Sequence, residues 1–183
     1  MKIVEINDKY INYLKMYFSN YLLDNKEDKR YHNRKYIGVV FKIDNLNYFA
    51  PLSSPKKSDF NSDGTIKKST LALIRIVHEY NNNYILISKI KLNCMIPVPD
   101  NAIIDYDLNN ELNKKYKDLI INELLWLQRN ETLVINSAEK LYKIKCNEDK
   151  YINDKNHKFY KSIIPFKEVE KIYNKYQKHN LQK

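Results

Sequence analysis

The segment Tyr36–Lys57, YIGVVFKIDNLNYFAPLSSPKK, constrains the fold more than any other because it reads as two strands folded against each other. Tyr36, Val39, Val40, Phe41 and Ile43 are β-branched or aromatic, which suits a pleated, half-buried surface. Asp44-Asn45-Leu46-Asn47 is rich in turn formers, and Tyr48-Phe49-Ala50-Pro51-Leu52 returns as the partner strand. Pro51 has no N–H to donate, so the second strand is expected to lie at a sheet edge or to end there. Ser53-Ser54-Pro55-Lys56-Lys57 follows, placing two hydroxyls and two cations at a strand end. Two readings fit it: a turn followed by solvated lysines, or a chemical site mounted on a rigid sheet.

Lys2–Ile6 alternates and predicts a first strand. Asp8 can cap a helix whose apolar face is Tyr10, Ile11, Leu14, Phe18, Tyr21 and Leu22. Leu23 to Arg34 reads as a polar loop that turns basic and aromatic at Arg30, Tyr31, His32, Arg34 and Lys35, directly before the hairpin. Beyond Lys57 lies a second loop with Gly64 at its turn and Lys67-Lys68 at its exit. Ser69–Tyr80 fits either a buried strand or a short helix, and Tyr84–Ile90 and Leu92–Val98 read as further strands. The spacing then predicts one helix over Leu108–Asn130, with Tyr116, Ile120, Glu123 and Leu127 among its periodic positions and Trp126 as core. A second helix is expected over Glu131–Ile144. After a polar bridge, a last helix starts near Pro165 and buries Phe166, Val169, Ile172, Tyr173 and Tyr176. No repeat or long linker divides the chain, so residues 1–183 read as one domain, and strands in front with helices behind predict an α+β fold.

A formal net charge of +10 on 183 residues favours a polyanionic partner. No apolar run approaches the ~18 residues of a membrane span, and Met1–Glu5 does not open a signal-peptide core, so a cytoplasmic protein is expected. Cys94 and Cys146 have no CxxC spacing, and His32, His78, His157 and His179 are scattered, so no metal site is expected. With only Gly38 and Gly64 available, neither a phosphate-binding P-loop nor a dinucleotide fingerprint can form, and no cofactor is expected. Sixteen tyrosines interleaved with lysines suit the stacking of unpaired bases beside a phosphate track. Cutting RNA without a metal requires help for the attacking 2′-hydroxyl, a proton for the leaving 5′-oxygen, and cations or hydroxyls around the charged phosphorane. Without a histidine pair, tyrosine, lysine, serine and arginine would share that work.

KYIGVVFKIDNLNYFAPLSSPKK resembles the central signature of the ToxN/AbiQ toxins of type III toxin–antitoxin systems. LNCMIPVP at Leu92–Pro99 and ELLWLQRN at Glu123–Asn130 resemble two further segments of that family. The resemblance implies a compact barrel-like antiparallel sheet with peripheral helices, related to the MazF/Kid toxins. It implies a metal-independent endoribonuclease that leaves a 2′,3′-cyclic phosphate on cellular or phage RNA. It also implies an inhibitor that is a small repeated antitoxin RNA, which the toxin cuts into units and binds in a closed protein–RNA assembly. The family's catalytic hydroxyls fall on Ser53 and Ser54, its downstream lysine on Lys56 and its upstream tyrosine on Tyr31. Its upstream lysine falls on Lys35 or is replaced by Arg34, which could only hold phosphate. Arg30, His32, Arg34, Lys57, Lys67 and Lys68 surround these positions as expected RNA contacts. A non-catalytic RNA-binding module is the alternative; it needs the charge and the tyrosines but not the Ser-Ser-Pro-Lys cluster. A DNA-binding regulator is disfavoured for want of a helix-turn-helix signature.

Overall fold

The computed structural model describes residues 1–22, 24, 32–147 and 157–181. Its strands are β1 (Lys2–Ile6), β2 (Tyr36–Ile43), β3 (Leu46–Ser53), β4 (Leu73–Tyr80), β5 (Asn83–Lys91), β6 (Ile96–Pro97) and β7 (Ile103–Asp105). Its helices are α1 (Asp8–Phe18), α2 (Lys114–Cys146), α3 (His157–Lys161) and α4 (Phe166–Leu181). The strands pair antiparallel in the order β4-β5-β3-β2-β1-β7, with β6 also against β3. This is the expected α+β architecture, but the strand path is open, running from β4 to β7 without closing into a barrel. No helix among the described residues is long and apolar enough to cross a membrane.

The central hairpin forms as its sequence requires. Asp44 and Asn45 take positive φ values of 46° and 65°, the backbone of a tight turn whose twist matches the flanking strands. Asn81 and Asn82, at 50° and 59°, do the same between β4 and β5. Pro51 differs from expectation, because it lies inside β3, opposite Tyr36, in the middle of the sheet. The Leu52 amide donates to Lys35 O at 2.9 Å, so the alternation of strand amides turns the Pro51 nitrogen away from β2. On that other side β6 pairs with Tyr48 and Phe49 and β5 with Leu52 and Ser53, leaving Pro51 at the seam. The proline therefore costs no ladder bond.

Other boundaries shift for local reasons. Asn7, not Asp8, caps α1, its side chain accepting from Tyr10 N at 2.9 Å. Ser69–Tyr80 resolves as a strand over Leu73–Tyr80, whereas Leu92–Val98 divides into a 3₁₀ turn at Leu92–Cys94 and the two-residue β6. The two expected back-half helices follow each other in α2, which begins at Lys114 rather than Leu108 and is interrupted at Asn130 (φ −122°, ψ 18°), the expected boundary, where the side chain donates to Trp126 O at 2.8 Å. Leu112 lies outside it, exposed, and Trp126 is only half-buried. The last helix buries the expected Phe166, Val169, Ile172, Tyr173 and Tyr176.

Helix α2 packs on β2, β4 and β5, and α4 on β6, α1 and α2. Where these layers meet, Phe41, Tyr48, Tyr142 and Phe166 pack ring against ring. The Tyr48 and Tyr142 hydroxyls both donate to Glu170 Oε1, at 2.8 and 2.6 Å, so these buried phenols keep their hydrogen bonds. Gly38 is required by this packing: it faces Phe49 across the β2–β3 ladder, and a Cβ there would fall 1.9 Å from the Phe49 ring. Gly38→Ala should therefore lower stability by about 1–3 kcal/mol, the usual cost of overpacking, measured by urea denaturation. An unchanged midpoint would contradict that packing.

Candidate active site

The end of β3, the loop before β2, β5 and α2 enclose a cleft of about 260 Å³. Lys35, Arg34, His32, Ser53 and Ser54 all line it, so five residues separated in the sequence by the whole hairpin share one cavity. The pairing register brings them together: Lys35 immediately precedes β2, and its carbonyl holds the Leu52 amide one residue before Ser53. Ser54 is exposed at the rim, while the Ser53 Oγ is buried and makes no hydrogen bond.

Lys35 is buried, and its ammonium pairs with Glu5 Oε1 from β1. It also lies 4.2 Å from the Tyr106 ring centroid and 5.5 Å from that of Tyr116. Asn33 donates to the second Glu5 oxygen at 2.9 Å. His32 stacks on Tyr116 with centroids 3.7 Å apart and planes 5° from parallel, its Nδ1 3.5 Å from Glu111 Oε2. The Tyr106 hydroxyl and the Asn113 N–H, donating to Glu111, hold that carboxyl below the ordinary glutamate range. Arg34, expected as an RNA contact, also serves the backbone. It is buried and donates to Asp24 O at 3.2 Å and Leu52 O at 3.1 Å, bracing the backbone around the cleft.

The loop after β3 is anchored by Asp59, which is 2 % exposed and pairs with Arg75 at 3.0 Å and Lys89 at 2.5 Å. Burial pushes its carboxyl up, but the Lys89 ammonium, the Lys56 N–H and the Arg75 guanidinium together hold it below the ordinary range. Ser54-Pro55-Lys56 is thus fixed between a strand and a buried ion triad. Lys56 and Lys57 are exposed and do not line the cleft. Lys67 and Lys68 border a separate depression with Arg75 and Tyr84, and Lys67 Nζ donates to Ser58 O at 2.9 Å. Tyr31 and Arg30 fall outside the described residues. Among the described residues no three His, Cys, Asp or Glu side chains cluster to hold a metal.

The inner wall holds what the sequence did not single out. Glu123 of α2 is 3 % exposed, and its Oε2 makes no hydrogen bond. Ser88 of β5 is equally buried, and its hydroxyl also lacks a formed hydrogen bond. Burial pushes the Glu123 carboxyl up to about 7, against weaker pulls from the Ser88 hydroxyl and the Lys35 charge. The only signal of Glu123 was a carboxylate at an otherwise apolar helical position; Glu5, Asp59 and Ser88 gave none.

Glu123 predicts a pH dependence of stability. The folded carboxyl titrates near 7 and the unfolded one near its ordinary 4.5. Between those values the unfolded chain loses the proton first, so stability falls as pH rises through the window and stays lower above it. Glu123→Gln should remove that fall and stabilise the protein at about pH 8 by on the order of 1–3 kcal/mol. Urea denaturation at about pH 5 and about pH 8 checks this, and an unchanged pH slope would contradict it.

The chain is similar to known proteins over most of its length. Residues 2–174 match the sequence profile of the family described as "Toxin ToxN, type III toxin-antitoxin system". The chain is 33% identical over 142 residues to the endoribonuclease ToxN of Pectobacterium atrosepticum, covering 77% of this chain and 79% of that protein. It is 30% identical over 150 residues to the endoribonuclease AbiQ of Lactococcus lactis subsp. lactis, covering 81% of this chain and 77% of that one. A solved toxin structure, described as showing selective inhibition by a non-coding RNA pseudoknot, superposes with a TM-score of 0.74 at 27% identity, covering 96% of this chain and 97% of its own. These likenesses establish that the chain belongs to the ToxN toxin family of type III toxin–antitoxin systems.

Proposed function

We propose that this protein is a metal-independent endoribonuclease toxin, and that the cleft is where it cuts. The observation that carries the reading is the meeting of Lys35, Ser53 and Ser54 around one cavity open to solvent at Ser54. The 2′-oxygen of one nucleotide attacks its own 3′-phosphorus, and the bond to the 5′-oxygen of the next nucleotide breaks. A 2′,3′-cyclic phosphate and a 5′-hydroxyl result. The 2′-hydroxyl gives up its proton and the leaving 5′-oxygen takes one, so the step is balanced without a co-reactant. Ser54 Oγ donates to a non-bridging oxygen, and Ser53 lies beside it as the second hydroxyl. Lys35 balances the charge that builds on the phosphorane. Arg34, with its donors on backbone carbonyls, braces the site, which favours Lys35 as the family's upstream lysine. Tyr31, the match to the family's upstream tyrosine, helps to position a base or transfers a proton. Exposed Lys56 and Lys57, which follow Ser54-Pro55 in the chain, contact the phosphates of the bound strand, and Arg30 and His32 are further RNA contacts. Lys67 and Lys68 extend the basic track.

The same surface, on a chain of net charge +10, binds the toxin's own repeated antitoxin RNA, which it processes and which holds it inhibited in a closed assembly. Released in the cytoplasm, the toxin cuts cellular or phage RNA and aborts infection. A relationship of the sheet to the MazF/Kid toxins belongs to this reading too, its strand path ending at β4 and β7.

Ser54→Ala tests the assignment. Single-turnover cutting should fall by about two to three orders of magnitude, as when a donor to a developing charge is removed. Affinity for RNA, measured by fluorescence anisotropy, should change little. Wild-type cutting by the folded variant would overturn the role of Ser54. Wild-type protein that binds RNA and leaves it intact would favour the non-catalytic binding module.

A further inference from the structure

Among the described residues, the buried Ser53 Oγ, Ser88 Oγ and Glu123 Oε2 of the cleft make no formed hydrogen bond, although the Ser88 hydroxyl is near enough to Glu123 to pull its carboxyl down. Buried polar groups in folded proteins are nearly always paired, because an unpaired one costs the loss of its water. Ser53 has a place in the reaction proposed above; Ser88 and Glu123 do not. They lie on facing elements, β5 and α2, on the inner wall of a cavity whose mouth carries Ser54 and the His32–Tyr116 stack. A carboxyl oxygen and a hydroxyl, near each other but without a formed hydrogen bond beside the proposed cutting site, can receive a hydrogen-bonding group that arrives with the RNA.

We propose that Glu123 and Ser88 form a base-reading subsite that accepts the exocyclic amino group of one unpaired nucleotide next to the cut, and so selects amino-bearing bases over uracil. The proposal rests on the ribonuclease reading of the cleft. A carboxyl group retains an accepting oxygen whether or not it is protonated, so Glu123 can take an amino N–H in either state. Burial favours the protonated form, which lowers the cost of leaving the subsite empty between turnovers. Uracil presents a carbonyl where cytosine presents its amino group, so against ionised Glu123, which can only accept, acceptor faces acceptor. A single-stranded base is the suitable ligand because its edge is free to enter a cleft. The charged and titratable groups that share the cleft with Glu123 are Lys35, whose charge acts on it, Arg34 and His32 from the loop before β2 and Tyr116 from its own helix, and β5 contributes the neutral Ser88.

The experiment maps cut sites of wild type, Glu123→Gln and Glu123→Leu on a randomised single-stranded RNA library, with folding checked by circular dichroism. Wild type should discriminate against uracil at one position flanking the cut. Glu123→Leu should lower that discrimination by about 5- to 150-fold, the range expected for a good base contact. Glu123→Gln keeps an accepting carbonyl and should hold it within a few-fold. Ser88→Ala lowers the same ratio and serves if Glu123→Leu does not fold. Oligonucleotides with purine riboside for adenosine, pyrimidin-2-one riboside for cytidine or inosine for guanosine each lack one amino group and identify which base is read. The matching analogue should slow wild type but not Glu123→Leu. Unaltered discrimination by folded Glu123→Leu, or no discrimination by wild type at any position, overturns the subsite. If wild type cuts none of the library, the ribonuclease reading itself fails, and affinities of the same oligonucleotides for wild type and Glu123→Leu then decide the base preference alone.

Discussion

The pairing of Lys35 with Glu5 governs this fold's use of its cleft. A lysine 3 % exposed would be expensive as a lone charge, at several kcal/mol of lost hydration. Glu5 compensates it from β1, and the rings of Tyr106 and Tyr116 lie near the ammonium where water would otherwise be. Because Glu5 belongs to β1 and Lys35 immediately precedes β2, the β1–β2 register decides whether the pair can form. The Lys35 carbonyl then accepts from Leu52, so one residue links the cation on its side chain to the serine pair through its backbone. Charge and hydroxyls are placed by main-chain hydrogen bonds rather than by a loop's preference.

The second anchor is on the far side of the serines. Asp59 joins the turn after Lys56 to Arg75 in β4 and Lys89 in β5, and Lys89 stands opposite Ser53 in the ladder. The segment Ser53–Lys56 is therefore tied at both ends to the same sheet. Helix α2 supplies the remaining wall with Tyr116 and Glu123. A site held this way can keep its donors aimed without reorganising when RNA binds, the condition under which such donors stabilise a transition state most strongly.

Much of this was legible in the sequence, and the limits were physical. The hairpin declared itself through alternation and its Asp44-Asn45 turn, and the last helix through five apolar positions at helical spacing, because both signals are local. Pro51 misled because a missing N–H matters only on the side where a partner would accept it, and β6 and β5 leave that point free. Leu92–Val98 reads as a strand by composition, yet most of it lies outside strand pairing, in a 3₁₀ turn and its flanks. The break at Asn130 was visible, and the backbone leaves helical geometry there as expected. Lys35, Ser53 and Ser54 were named in advance, whereas the partners that fix the site, Glu5 and Asp59, were not. An ion pair across 30 residues has no sequence period to reveal it.

The central claim is that side chains of this cleft alone cut RNA through attack by its own 2′-oxygen. The most direct measurement is to incubate the purified protein with single-stranded RNA in EDTA and determine the ends of the fragments by mass spectrometry. The account requires efficient cutting, with a 2′,3′-cyclic phosphate on the upstream fragment and a 5′-hydroxyl on the downstream one. Cutting abolished by EDTA, or fragments that begin with a 5′-phosphate, would contradict it.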